Sequence, residues 1–370
     1  AEFGSWLEGL LHSSTDVLQK CPKPLDAVMA SPVSFVGPHL AEAAGAQFIS
    51  IFTMPFTRTA SFPNPLACSP LLESPAYNLA THMALDQGLW LPVRSRVNEW
   101  RTTELDLPAR TAPPVYQPAI YCYSRHLCPE PADWPNSTQA VGFFFDPKQS
   151  EEVGSSSHQQ FTPPDDLSAF LAAGEPPVYI GFGSVTALSA SARVAFRKAL
   201  LKGLRKAGKR AVLLGGWVNE TAEGGDGDPA LPDNVIQVGP TPHEWLFARC
   251  SAVVCHGGAG TVATALSAGC PVIVCAFFGD QFFWSSRLAD RKVGLGCGAT
   301  SLTSRKFKYF LNEVHDPANE YPQRARALGA RIRREQGVHT ASFVIEQLVQ
   351  QHRTQGEPTS RDLDDFTVVS

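Results

Sequence analysis

Long apolar runs are missing from this 370-residue sequence, and none approaches the roughly eighteen residues that cross a bilayer. Nor does it open with a basic segment followed by a hydrophobic run, so the chain is expected to be soluble and unexported. An excess of basic charge is missing as well: 31 Lys and Arg face 35 Asp and Glu, a formal charge of -4. Phosphate backbones recruit basic surfaces, so no nucleic acid partner is expected. No Cys-x-x-Cys pair occurs among the nine cysteines, an odd number, which suits reduced thiols and a cytoplasmic setting better than disulfides or zinc. Asn136-Ser137-Thr138 and Asn219-Glu220-Thr221 match the glycosylation tripeptide, but without a signal segment both are read as chance.

What is present is core-forming material. The chain is 44% hydrophobic and 18% charged, which excludes disorder and suits two domains. Apolar β-formers at Leu25–Ala30 and Phe48–Phe52 flank a helical stretch over Pro38–Ala44 that ends near Gly45, a βαβ unit. A Pro-rich loop follows over 61–75, then helical spacing over 76–105 that Pro92 should kink or split, then a strand at Val141–Phe145. From Asp146 to Pro164 the composition is that of a linker. Beyond it helices and short strands alternate regularly: strands at 178–181, 210–214, 235–238, 252–255 and 271–276, helices at 167–173, 190–207, 243–249, 261–268 and 280–291. That alternation predicts a doubly wound parallel sheet, closed by helical residues 304–351. The first half shows only about three strands and is expected to be truncated at its start, below the usual four to six. Ala1-Glu2-Phe3-Gly4-Ser5 reads equally as a cloning scar or a natural start.

The sharpest motif is His256-Gly257-Gly258-Ala259-Gly260-Thr261, between an apolar strand and a helix. Glycines let a ligand approach the backbone, and a helix N-terminus presents unpaired N–H groups and a positive dipole end, so the segment predicts a phosphate site with His256 as a donor. The same glycines also suit a tight turn capped by His256. An esterase oxyanion loop shares the HGG run, but it needs a Gly-x-Ser-x-Gly turn that this sequence lacks. Gly181-Phe182-Gly183-Ser184 follows another strand. It is a weak dinucleotide fingerprint, because position 186 is Thr, yet it fits a second phosphate-facing loop with Ser184 as donor. Asp280 and Gln281 close the next strand and can accept from and donate to several sugar hydroxyls, or Asp280 can simply cap its helix.

Three segments, Pro242-His243-Glu244-Trp245-Leu246-Phe247, His256 to Thr261, and Phe277-Phe278-Gly279-Asp280-Gln281, resemble the donor signature of UDP-sugar-dependent glycosyltransferases with the GT-B fold. The segments Phe52 to Thr59, Leu89 to Arg101, Cys128 to Trp134 and Ile180 to Ser184 further resemble fungal and plant sterol 3β-glucosyltransferases. The resemblance implies an α/β GT-B architecture of two Rossmann-like doubly wound domains, the N-terminal one truncated. Its divisions would be an acceptor-side domain over 1–146, a linker over 147–164, a UDP-sugar-binding domain over 165–351 and a flexible tail over 352–370. It also implies that His243, His256 and the amides of Gly258, Gly260 and Thr261 belong to the donor site with Ser184 opposite, and that Asp280 and Gln281 hold glucose. Trp217 is placed at the nucleotide pocket or, alternatively, in the core. Thr264 and Pro240 stand where the plant small-molecule branch has a glutamate and a stacking tryptophan, and Ala276 and Phe282 where prolines are usual.

The implied reaction is inverting transfer of glucose from UDP-glucose to the hydroxyl of a sterol-like lipid, with no metal or cofactor. The Gly-x-Arg-Gly-Asp-type segment that carries the base in the sterol branch is missing, so the catalytic residue is unassigned. His39 reads as a packing or capping residue rather than a substitute base. Phe52, Met54 and Phe56, with Phe62, are expected to line the acceptor side, or to be core. A hydrophobic hydroxyl acceptor would bring the protein to a membrane surface without crossing it. A non-catalytic nucleotide-sugar-binding protein, or a glucosyltransferase of a secondary metabolite, remains an alternative.

Overall fold

A computed structural model describes residues 2–22, 24–67, 74–145, 161–183, 188–215 and 231–355. The chain divides into two compact units, one of 1–122, 130–142 and 336–370, the other of 123–129 and 143–335. Of the expected linker only 161–164 lies among the described residues.

In the first unit, helix α1 (Glu2–Lys20) precedes β1 (Ala27–Ala30), α2 (Gly37–Ala44) and β2 (Gln47–Phe52). The sequence reading assigned no element before Leu25. Leu7 and Leu11 of α1 are one helical turn apart and bury against Val93, Val97 and Trp100, so tertiary packing supports this helix. Gly45 ends α2 in the left-handed region (φ 62), where its N–H bonds back to Ala41 and Glu42 carbonyls. The helical stretch expected to kink or split at Pro92 is two helices, α3 (Pro75–Trp90) and α4 (Arg94–Thr103), broken at Pro92, which has no N–H to give.

Two differences from the sequence reading concern the first sheet. Strands β3 (Ala119–Tyr121) and β4 (Thr138–Ala140) complete a parallel order β1-β2-β3-β4, whereas Val141–Phe145, expected as a strand, is irregular. Gly142, at φ 106, turns the chain out of the ladder after Val141. The last helix, α12 (Gly337–Gln355), sends Ala341 and Val344 against Ile49, Ile120 and Val141, so it closes the first unit and not the second.

The second unit carries a six-stranded parallel sheet in the order β10-β9-β8-β5-β6-β7. Its strands are β5 (Val178–Ile180), β6 (Ala211–Leu214), β7 (Val235–Val238), β8 (Ala252–Cys255), β9 (Val272–Ala276) and β10 (Gly294–Gly298). Its helices are α5 (Asp165–Ala172), α6 (Ala190–Ala207), α7 (His243–Phe247), α8 (Ala259–Ser267), α9 (Gln281–Asp290), α10 (Ser304–His315) and α11 (Tyr321–Ile332). Ser189 caps the start of α6 and Gly208 its end, a legible start–stop pair. Phe196, Leu200 and Leu204 of α6 join Phe307, Leu311 and Val314 of α10 over Val178, Ile180, Leu213 and Val254 of the sheet. The unexpected strand is β10. A side chain on Gly296 would run into Ser285 Oγ and approach the Val274 carbonyl at 2.8 Å, so close packing demands the glycines that disguise it. Sequence order runs outward in opposite directions from β5 and β8, which makes their junction the topological switch point, where ligands of open α/β sheets bind at the carboxyl ends of the strands.

Candidate functional site

The loops after β5 and β8 leave the sheet side by side at that switch point. Gly181 N–H still bonds the Val254 carbonyl, and Phe182 packs edge-on against Phe196 and Phe277, which ties the β5 loop to the one after β9. Gly183 has φ 61. Ser184 and Trp217 lie outside the described residues. His243, at the start of α7, stacks on Phe247 with ring centroids 4.7 Å apart. It also shares a hydrogen bond of 3.1 Å with the Tyr179 hydroxyl, which lies where a Gly181 side chain would stand.

After β8 the backbone turns at Gly257 (φ 94), where a Cβ would press to 2.7 Å from Val274 Cγ1. Gly258 is the N-cap residue of α8 and no side chain caps the helix. The helix begins at Ala259 rather than Thr261. Its first backbone bond is Val262 N–H to the Gly258 carbonyl, so the amides of Ala259, Gly260 and Thr261 precede the ladder. Nothing stands within 4 Å of a Cβ built on Gly260. An uncapped helix start beside open space can receive an anion through backbone N–H groups and the dipole together.

His256 folds back over this start, its Nε2 2.5 Å from where a Gly258 Cβ would be. Burial lowers its pKa, against the opposing pull of Asp280, so the ring is neutral at neutral pH. Its Nδ1 is buried and unpartnered. A buried orphan acceptor is better tolerated than an orphan donor, so we assign the proton to Nε2, the atom over the helix start.

Asp280 stands at the N-cap position of α9 with helical backbone angles (φ -69, ψ -7), yet its carboxylate does not cap the helix. Oδ2 instead accepts from the Trp284 indole N–H at 2.9 Å. Burial raises the Asp280 pKa, opposed by that hydrogen bond, by one from its own backbone N–H and by His256. Gln281 is only 4% exposed, and its Oε1 accepts from the Phe277 and Phe278 amides at 2.7 and 3.2 Å. The amide oxygen thus stiffens the turn, and only Nε2 is left for a ligand. The structure therefore gathers His256, Gly258, Gly260, Thr261, Asp280 and Gln281 at the carboxyl ends of β8 and β9. Sequence reasoning missed Trp284, although it follows Asp280 by one helical turn, the spacing of an i,i+4 pair.

The first-unit residues fare differently. Met54 and Phe56 are buried, as is Phe62, and only Phe52 is partly exposed. The Phe56 and Thr57 amides donate to the buried Tyr121 hydroxyl, which folds this segment over β3. Met54 and Phe56 are thus core residues rather than an open wall. His39 is fully buried between Trp90 and Trp100 and accepts at Nδ1 from Arg101 at 2.8 Å. Burial, and then Arg101, lower its pKa to about 3, so it is a packing residue.

Among the described residues eight cysteines are free, no group of three or more His, Cys, Asp or Glu side chains is set to hold a metal, and no helix is long and apolar enough to cross a membrane.

Comparison with known proteins bears on the fold. Residues 218–340 match the family described as Erythromycin biosynthesis protein CIII-like, C-terminal domain. The chain is similar to the sterol 3-beta-glucosyltransferase of Aspergillus clavatus, 35% identical over 97% of this chain and 25% of that protein. It is also similar to the UDP-sugar-dependent glycosyltransferase 52 of Dictyostelium discoideum, 32% identical over 92% of this chain and 21% of that protein. It thus spans about a quarter of the length of these relatives. In structure it is similar to the glycotransferase of kitacinnamycin (TM-score 0.64, 18% identity, covering 93% of this chain and 82% of that one). Os79 from O. sativa, solved in complex with UDP, is a further match (TM-score 0.57, 14% identity, covering 94% and 81%). The fold is that of the GT-B glycosyltransferases.

Proposed function

We propose, from a chain with the GT-B glycosyltransferase fold, that it forms the donor-binding and part of the acceptor-side body of an inverting glucosyltransferase that moves glucose from UDP-glucose to the hydroxyl of a sterol-like lipid. The observation that carries this reading is the uncapped start of α8 beside Asp280, a carboxylate that sits at a helix cap yet leaves the helix uncapped. The amides of Gly258, Gly260 and Thr261 receive the diphosphate, and His256 Nε2–H adds a neutral donor. These groups meet the negative charge that grows on the departing UDP as the bond from the anomeric carbon to the phosphate oxygen breaks. They supply the positive field that a bound metal would otherwise provide, so we propose no metal or cofactor. Asp280 Oδ1 accepts from a glucose hydroxyl and Gln281 Nε2 donates to another. The acceptor oxygen attacks the opposite face of the sugar after losing its proton to a base. The sterol names of the similar proteins support the acceptor class. We place the reaction in the cytoplasm, at a membrane face where such an acceptor resides.

A second reading, in which this chain alone binds the nucleotide sugar without turnover, is favoured by His39, which is fully buried and, with its pKa lowered to about 3, too weak a base to take the acceptor's proton. The test is transfer of labelled glucose from UDP-glucose to a sterol in mixed micelles. Asp280→Asn is the variant to pair with wild type, because its carbonyl keeps the Trp284 hydrogen bond. We expect transfer by the wild type and a loss on the order of 100-fold in the variant, the scale on which sites built for a polar group reject its absence. Full turnover by Asp280→Asn would refute the sugar assignment. Binding of UDP-glucose without transfer would select the second reading.

A further inference from the structure

Trp284 is one of the largest wholly buried side chains in the protein, and its indole N–H is committed to a carboxylate rather than to a backbone carbonyl. We propose that Trp284 is a positioning residue: it fixes which oxygen of Asp280 is offered to the donor sugar and so sets discrimination between hexose epimers. This rests on the reading of Asp280 as a sugar-binding group.

Without the indole, Asp280 would behave as an ordinary N-cap residue. An aspartate at the N-cap turns its carboxylate onto the amides of the first helical turn, the preferred use of that position. Here the backbone angles are helical and no such bond forms, because Oδ2 is drawn to Nε1 of Trp284 one turn along α9. The indole is itself locked. Tyr123 lies edge-on to it with centroids 5.4 Å apart, and the neighbouring Phe283 ring at 5.1 Å. The carboxylate is therefore held in one orientation, by the indole at Oδ2 and by its own backbone N–H. The titratable group that acts on it is His256, from the loop after β8. A single acceptor in a fixed direction distinguishes an equatorial hydroxyl from its axial epimer. A carboxylate free to rotate follows either, since specificity is a difference of affinities and not their sum.

Trp284→Phe removes the N–H and keeps a buried aromatic ring. Calorimetric titration of the whole chain with UDP, UDP-glucose and UDP-galactose reads the effect. Because a hydrogen bond to a charged group is lost, we expect UDP-glucose to bind about tenfold more weakly in the variant. UDP itself should keep its affinity within about twofold, since it lacks the sugar. The ratio of UDP-glucose to UDP-galactose affinity should fall towards one. The acid limb of UDP-glucose binding should move to higher pH, because the indole hydrogen bond favours the ionised carboxylate. A purely structural role lowers the unfolding temperature and leaves that ratio and that limb in place, and this result, with UDP binding intact, overturns the proposal. If the phenylalanine variant folds poorly, Trp284→Leu is read in its place: it keeps a buried apolar side chain and likewise removes the N–H that holds Oδ2. Collapse of the ratio with UDP binding intact supports the proposal, and an unchanged ratio overturns it. Failure of the wild type to bind UDP at all removes the donor-site reading itself, and the role of Trp284 with it.

Discussion

Asp280 and Gln281 are adjacent in sequence but have opposite duties in the structure. Gln281 turns inward and serves two backbone amides, while Asp280 gives Oδ2 to the Trp284 indole and does not cap the helix it starts. Replacing Gln281 with Leu strands both amides, and we expect a loss of about 1–3 kcal/mol in urea unfolding. Asp280→Ala leaves the buried Trp284 N–H unpaired and should cost a similar amount, whereas Asp280→Asn should unfold close to wild type. Equal stability of the Ala and Asn variants would refute the indole bond. Gly257 combines φ 94 with a close approach to Val274, so Gly257→Ala should destabilise by at least about 2 kcal/mol through backbone strain and overpacking. The buried histidines impose a pH dependence. His39 has its pKa lowered to about 3, and burial lowers those of His82, His243, His256 and His315 as well. A group that binds its proton less readily folded than unfolded contributes stability that is whole above its unfolded pKa of about 6.5 and declines as pH falls towards the folded value. Denaturant unfolding should therefore show the protein weakening steadily from pH 7 to pH 5, with a shallower slope in His39→Gln.

Among the elements, α3 and α12 are instructive because propensity alone places neither correctly. Helix α3 buries Asn78, Thr81 and His82 and exposes Leu79 and Met83, the reverse of an ordinary amphipathic helix. The buried polar groups have work to do: Thr81 Oγ1 accepts from Asn64 N–H, Asn78 donates to the Ala60 carbonyl, and His82 bonds Asn64. They fasten the loop after β2, and Thr81→Val should loosen it, measured as faster amide exchange at Asn64. Helix α12 follows α10 and α11 in sequence but belongs to the other unit, because Ala341 and Val344 complement Ile49, Ile120 and Val141. Val344→Asp is expected to lower the stability of the first unit by about 3 kcal/mol, the cost of an unpaired buried charge, and to leave UDP affinity unchanged.

These elements also show where the sequence was legible. The alternation from Val178 to Arg291 announced the second sheet, and glycines and the Asp–Gln pair announced the residues at its carboxyl ends, because periodicity and turn chemistry are local. Strand β10 was hidden, since its glycines answer to Val274 and Ser285, which are distant in sequence. Met54 and Phe56 read as either acceptor wall or core because a residue's hydrophobicity does not say which way it faces; Tyr121 decides that.

For the molecule as a whole, the account turns on one claim: the carboxyl ends of β8 and β9 form a nucleotide-diphosphate-sugar site. The sheet order puts the switch point beside it, between β5 and β8, and the fold shared with GT-B glycosyltransferases is consistent with it. Ligand that binds only the folded state must raise the unfolding midpoint. The most direct measurement is thermal unfolding of the wild type and His256→Ala with UDP and with UDP-glucose. The account predicts a rise in the wild-type midpoint with both ligands and a much smaller one in the variant. No shift in a cooperatively unfolding wild type, or the same shift in His256→Ala, would contradict it.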